Sequence, residues 1–255
     1  EVKGLIAAGY KDITLLGQNV NSYGKDLDEP MDFADLLKAA SELPGDFLLR
    51  FMTSHPKDAS QKLFETMTAC EKVAPVFHLP FQAGNDRILK AMNRVYDRAG
   101  YLDKVRRLRQ AIPDVVLTSD VIVGFPGETE EEFAQSLALV QRCRLARVHV
   151  FPYSRRQGTP AAAMPGQVPN AVKADRAHRA GEVLSQVHTA WLAGWVGQTV
   201  PVLFEEEKGG WWRGYGPQYM EVRVHGEDLH NQLLPVTITD FDREVLYGQC
   251  RKEEP

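Results

Sequence analysis

The chain has 255 residues, 44% hydrophobic and 25% charged, the composition of an ordinary globular protein with enough length for one large domain or two smaller ones. No apolar run nears the roughly 20 residues of a membrane helix, and residues 1–20 lack the basic, apolar and small-residue succession of a signal peptide, so neither a membrane partner nor export is expected. The net charge is −4, with 24 Lys/Arg against 23 Asp/Glu in residues 1–196 and 6 against 11 in residues 197–255, so any nucleic-acid contact must use local patches.

The opening, Glu1-Val2-Lys3-Gly4, has no initiator Met and reads like the middle of a helix. The chain is therefore expected to be a piece of a longer protein. From there β-rich runs alternate with helical ones. Strands are predicted at 12–16 (DITLL), 48–53 (LLRFMT), 76–81 (VFHLPF), 115–123 (VVLTSDVIV) and 147–152 (RVHVFP). Between them, apolar residues at three- and four-residue spacing predict helices at 32–42, 59–71, 86–93, 97–110 and 130–142. Thr129 and Glu132 form a T-x-x-E capping box that sets the start of the last of these. Such alternation calls for a parallel sheet, open or curled into a barrel.

Residues 155–170, with three prolines and two glycines, read as a loop. A long helix over 171–195 follows. After Gly197 come β-branched and aromatic runs at 199–204, 219–224 and 236–239, separated by Gly, Asp and Asn. They predict a small all-β domain of about 55 residues, closed into a barrel. The expected division is 1–195 and 196–255.

Cys70, Cys143 and Cys250 are scattered, with no CxxC and no CxxxCxxC. That argues against a disulfide framework and a zinc finger and suits reduced thiols in a cytoplasmic protein. The functional signal lies at the strand ends, where parallel α/β sheets gather ligand-binding loops. The first strand runs into Gly17-Gln18-Asn19, the second into Thr53-Ser54-His55, the third into Gln82-Ala83-Gly84-Asn85, the fourth carries Ser119-Asp120 and ends in Gly124-Phe125-Pro126-Gly127, and the fifth ends in Tyr153-Ser154. Amides, hydroxyls and glycine turns together suit a polar organic ligand. Each has a plainer reading too. Gln18 and Asn19 serve equally as turn residues, His55 as a loop hydrogen-bonder, and Gly124 and Gly127 as turn glycines. Asp120 is harder to explain away, because a carboxylate in an apolar strand needs partners.

The runs ITLLGQNVNSYGKDL, RFMTSHPKD, HLPFQAGNDRILKAMNR, TSDVIVGFPGETEEEF and YSRRQGTPAA, in this order, resemble the radical-SAM tRNA methylthiotransferases over nearly the whole chain. Residues 1 to about 135 look like the branch acting on isopentenyl-type adenosine. From about 145 the chain looks more like the sister branch acting on threonylcarbamoyl-adenosine. The resemblance implies a partial (β/α) barrel of radical-SAM type followed by a TRAM-like β barrel that binds tRNA. It implies S-adenosylmethionine on Gly17, Gln18, Asn19, Thr53, Ser54, Gln82, Asp120, Ile122, Gly124, Gly127 and Tyr153. It implies RNA contacts from Trp211, Trp212, Arg213, Tyr215 and Arg223. Ala83 departs from the small hydroxyl residue usual at its position. The [4Fe–4S] clusters of the family need closely spaced thiolates, which this stretch does not carry, so the piece alone is expected to be inactive. The alternative from another class is a non-catalytic tRNA-binding module.

Overall fold

The computed structural model describes residues 1–28, 31–52 and 58–251. Its first part is a succession of parallel strands and helices. A short helix α1 (Val2–Ala7) leads to β1 (Asp12–Leu15), α2 (Phe33–Ser41), β2 (Leu48–Phe51), α3 (Gln61–Ala69), β3 (Val76–His78), α4 (Asp86–Ala91), α5 (Arg98–Ala111), β4 (Val116–Val123), α6 (Glu130–Cys143) and β5 (Arg147–Pro152). Local chemistry sets the helix starts. Asp32, Ser60, Asn85, Asp97 and Thr129 each stand at an N-cap and accept a first-turn N–H that would otherwise lack a partner. The expected Thr129–Glu132 capping box is present.

β1 pairs with β2, and β3, β4 and β5 pair in sequence, all parallel. A parallel bridge between Leu49 and Val73 joins the two groups, with Leu49 N–H donating to Lys72 O at 2.7 Å and Ala74 N–H to Leu49 O at 2.9 Å. The strands thus run in the order β1 to β5 with their C-terminal ends on one rim, an open part of a barrel.

Alternation along each strand divides the sheet into two faces. Ile13, Leu49, Phe51, Phe77, Leu117, Val121 and Val123 point to the helices and share one apolar core. Within it Phe33, Phe51, Phe77 and Phe64 form a chain of edge-to-face contacts 5.1–5.8 Å between centroids. Asp12, Thr14, Arg50, His78, Thr118, Asp120, Ile122, His149 and Phe151 alternate with those residues and occupy the other, inner face. Ser119 belongs to the core side. It is buried, donates to Leu79 O at 2.7 Å and accepts from Phe81 N–H at 3.1 Å, so it drops out of the polar rim.

A short helix α7 (Pro160–Ala163) and the long α8 (Asn170–Ala193) follow. α8 packs Ala177, Ala180, Val183, Leu184 and Val187 on the first core, while Leu192 and, just past it, Trp195 enter a second core. That core fills a closed five-stranded barrel of β6 (Thr199–Lys208), β7 (Trp211–Tyr215), β8 (Glu221–Val224), β9 (Leu233–Asp242) and β10 (Val245–Cys250), in the order β10-β8-β7-β6-β9. Closure removes the free sheet edges that so short a sheet would expose.

Candidate functional site

At the end of β4 several of the expected residues meet. Gln82, in a left-handed conformation (φ 65°), bridges to β4: its N–H donates to Asp120 O at 3.0 Å and its carbonyl accepts from Ile122 N–H at 2.9 Å. Tyr153 N–H donates to Val123 O at 2.8 Å, and its ring meets Phe125 edge-on at 5.4 Å. Gly127 N–H donates to Gly166 O at 2.7 Å. Gln82, Asp120, Ile122, Gly124, Gly127 and Tyr153 therefore share one corner. Gly17, Gln18 and Asn19 follow β1 on the same rim, on the far side of β2 and β3. Thr53 and Ser54, with His55, lie outside the described residues.

Asp120 is held by two histidines from neighbouring strands. His78 Nε2 lies 3.3 Å from one carboxylate oxygen and His149 Nδ1 3.2 Å from the other. His78 Nδ1 lies 2.9 Å from Thr118 Oγ1, so the ring is held between the two groups. Burial pushes the Asp120 carboxyl up, but the hydrogen bond and charge of His78 and the charge of His149 outweigh it and hold the group below the ordinary carboxylate range. Asp120 is thus an anion on the inner face.

Asn19 is also tied. Its Nδ2 donates to Ser22 Oγ and to Asp58 Oδ2, both at 2.7 Å, and Lys25 reaches Asp58 Oδ1 at 3.0 Å. Burial raises the Asp58 carboxyl, but Lys25, Asn19 and Ser22 bring it below its usual range. The amide oxygen is unmatched: Asn19 Oδ1 is buried without a partner, and so is the Tyr153 hydroxyl. A buried acceptor left unmatched at the rim fits a ligand that brings N–H donors, and a hydroxyl fits either kind of partner.

The turn after β4 is fastened from α8. Gly124 N–H donates to Glu128 Oε2 at 2.6 Å, and Arg176 Nη1 reaches the same oxygen at 2.8 Å. Gly124 and Gly127 both have positive φ, 72° and 76°. A side chain at Gly124 would run into the stem of Lys173, whose ammonium donates to Tyr153 O at 2.9 Å. Gly124 therefore leaves room for the Lys173 stem, whereas a Cβ at Gly127 would meet nothing nearer than Arg87 Nη1 at 3.8 Å.

On the barrel, alternation places Trp211, Arg213 and Tyr215 of β7 outward beside Glu221 and Arg223 of β8. Arg213 pairs with Glu206 at 3.0 Å and Arg223 with Glu221 at 2.7 Å. Trp211 stacks on His225 at 3.7 Å and meets Tyr247 at 5.2 Å. Trp212 differs from its neighbours on β7. It alternates inward and, partly buried, packs against the barrel core, so it supports the barrel more than it faces solvent.

A family model described as the Radical SAM superfamily matches residues 1–140. The chain belongs to the radical SAM superfamily. Among curated relatives of this radical SAM chain, the tRNA-2-methylthio-N(6)-dimethylallyladenosine synthase of Desulfitobacterium hafniense (strain Y51) is 44% identical over 260 residues, covering 99% of this chain and 58% of that protein. The protein of the same name from Thermoanaerobacter sp. (strain X514) is 51% identical over 205 residues, 80% of this chain and 44% of its own length. The chain spans about half the length of the curated relatives it matches. Coproporphyrinogen III oxidase from Escherichia coli, a radical SAM enzyme, superposes with a TM-score of 0.50 at 15% identity, over 73% of this chain and 51% of that one. That likeness shows the fold.

In this radical SAM chain Cys70 and Cys143 are buried at the ends of α3 and α6, and Cys250 ends β10. Burial pushes the Cys143 thiol up to about 11, only partly offset by Arg109. Among the described residues no group of three or more His, Cys, Asp or Glu side chains could hold a metal ion. Nor is any described helix long and apolar enough to cross a membrane. Sequence reasoning missed His78, His149, Asp58, Lys173 and Arg176. The two histidines carried a signal, each standing on the polar phase of an alternating strand. The others gave none, since they act from distant elements.

Proposed function

We propose that the chain supplies the S-adenosylmethionine-holding rim and the RNA-holding barrel of a cytoplasmic tRNA methylthiotransferase acting on a hypermodified adenosine next to the anticodon. One observation carries this reading: a single rim presents an anionic Asp120 and two buried unpartnered polar atoms, Asn19 Oδ1 and Tyr153 Oη. S-adenosylmethionine held on this rim would supply radical chemistry on one-electron reduction by an iron–sulfur cluster held elsewhere in the intact enzyme. Asn19, oriented by Asp58, has its carbonyl free for the ligand's ammonium. Asp120 accepts ribose hydroxyls when His149, the exposed one of its two partners, gives way. Ile122 and the turn from Gly124 to Gly127 support the base, and Gln82 holds the corner through its backbone. Gly17, Gln18, Thr53 and Ser54 complete the rim on the family's pattern.

The barrel is the TRAM-like part, with Trp211, Arg213, Tyr215 and Arg223 offered to tRNA. The relatives' names support dimethylallyl-adenosine as the modified base taken, since the alignment to the Desulfitobacterium protein runs over 99% of the chain. The test uses the intact enzyme, reconstituted with iron and sulfide, and tRNA lacking the methylthio group. Mass spectrometry of digested tRNA should show 2-methylthio product, reduced at least tenfold by Asn19→Leu or Asp120→Ala together with weaker S-adenosylmethionine binding. Full product formation by both variants would defeat the assignment.

A further inference from the structure

Arg50 is buried to 2% exposure, yet it belongs to the inner face of the open sheet, where the surrounding polar groups are reached by solvent. Its partners come from both parts of the chain. Nε donates to both oxygens of Asp12, at 2.9 and 2.8 Å. Nη2 donates to Gly216 O at 3.0 Å and Nη1 to Pro217 O. Its guanidinium lies 3.9 Å from the centroid of the Tyr219 ring. Gly216 to Tyr219 is the turn between β7 and β8, the two strands that carry the outward Trp211, Arg213, Tyr215 and Arg223. Tyr219 is held at φ 58°, an unusual conformation for a side chain of that size. A second contact lies close by, with Asn231 Nδ2 donating to Gly9 O at 3.2 Å.

Without these contacts α8 would be the main attachment between the two cores, and Gly194 and Gly197 follow its end. One attachment leaves a barrel free to pivot; a second fixes its direction. We propose that Arg50 is a positioning residue: it locks the β7–β8 turn onto the inner face of the sheet, so that RNA held by those strands stands in a set direction relative to the ligand rim. The part concerning RNA rests on the function proposed above. Arginine is required because the guanidinium satisfies one carboxylate, two carbonyls and an aromatic face at once, which a lysine ammonium on a single point does not.

The test compares Arg50→Lys, Tyr219→Gly and the double variant in the intact enzyme. Tyr219→Gly removes the ring from the barrel side and relieves the backbone, so it tests the lock even where a change at Arg50 prevents folding. Amide hydrogen exchange should be at least tenfold faster across 214–222 in each single variant and unchanged across 236–250, with the double variant no worse than the more severe single one. S-adenosylmethionine cleavage without RNA should stay within twofold, while tRNA-dependent product per S-adenosylmethionine cleaved falls about tenfold. Unchanged exchange in 214–222, or additive effects in the double variant, would overturn the lock. Faster exchange with undiminished coupling would overturn its role in placing RNA. If the intact enzyme modifies no tRNA at all, the proposed function fails, and exchange alone still decides the lock.

Discussion

Arg176 and Glu128 form an ion pair that solvent barely reaches, with side-chain exposures of 5% and 1%. Arg176 Nη1 donates to Glu128 Oε2 at 2.8 Å and to its backbone carbonyl at 3.2 Å. The pair ties α8 to the turn that holds Gly124. Removing one member strands the other charge, which for buried pairs destabilises by about 3–5 kcal/mol. Arg176→Met should therefore lower stability by about that much in chemical denaturation, and Arg176→Met with Glu128→Gln should recover most of it. Burial pushes the Glu128 carboxyl above its ordinary range, against the pull of Gly124 N–H and Arg176. A raised carboxyl pKa favours the folded state below the unfolded value and loses that contribution as pH rises through the folded one. The Arg176→Met defect should accordingly be larger at about pH 8 than at about pH 5; an equal defect at both would count against this account.

Asp120 has the opposite sign. Burial raises its carboxyl, but His78 and His149 lower it further than burial lifts it. Its contribution is present above the unfolded value of about 3.9 and lost as pH falls through the folded one. The carboxylate is partly solvated, so screening limits the contribution to about 1 kcal/mol. Asp120→Asn should reduce stability by that amount near neutrality, and the difference from the parent should fade as pH falls through the lowered folded value. Denaturation midpoints across the acid range provide the check. A defect that persists in strong acid would point to packing rather than charge.

The parallel sheet and the small barrel were legible because alternation and turn residues are local signals. Ile13, Phe77 and Val121 announce a core face wherever the partner strands lie, and Thr129 with Glu132 announces a helix start. β7 and β10 were not legible: Trp211–Tyr215 and Val245–Cys250 contain glycines within the strand, and only barrel closure makes them regular. At the site, Asp120 stood out as a carboxylate in an apolar strand, but its partners depend on register. His149 faces Asp120 because β5 pairs there and not one residue away. Arg50 was hidden for a similar reason, since its barrel contacts are about 166 residues distant in the chain.

The two turn glycines should respond differently to alanine. Both have positive φ, a conformation that disfavours an L side chain by about 1–2 kcal/mol. At Gly127 that is the main expense, because the added carbon stays 3.8 Å from a flexible guanidinium. At Gly124 the carbon also displaces the Lys173 stem and, with it, the bond to Tyr153 O. Gly124→Ala should therefore lower the melting temperature clearly more than Gly127→Ala, and Gly124→Ala with Lys173→Ala should bring the two close together. Equal shifts for the single variants would mean that Lys173 simply swings away.

Trp211 and Trp212 are adjacent in the chain and separated by the barrel wall. Trp212 packs on the apolar interior with Val222 and Val224, so Trp212→Ala leaves a cavity and should destabilise the barrel by about 3 kcal/mol, the low end for an aromatic truncation. Trp211 stands outside against His225 and Tyr247. Its truncation should leave the melting temperature within about two degrees and weaken tRNA binding by about 1–3 kcal/mol, the worth of one stacked base. Salt provides the second half of the argument. The barrel's Arg213 and Arg223 are already paired with Glu206 and Glu221, and residues 197–255 carry 6 basic against 11 acidic side chains. Few counterions are then displaced from RNA, so the log–log salt slope of the barrel's contribution should be shallow, near −1 to −2 for one or two phosphates. Filter binding of parent and Trp211→Ala across a salt series separates the terms: stacking predicts parallel lines offset by the lost affinity. Lines that converge at high salt would assign Trp211 to an electrostatic contact instead.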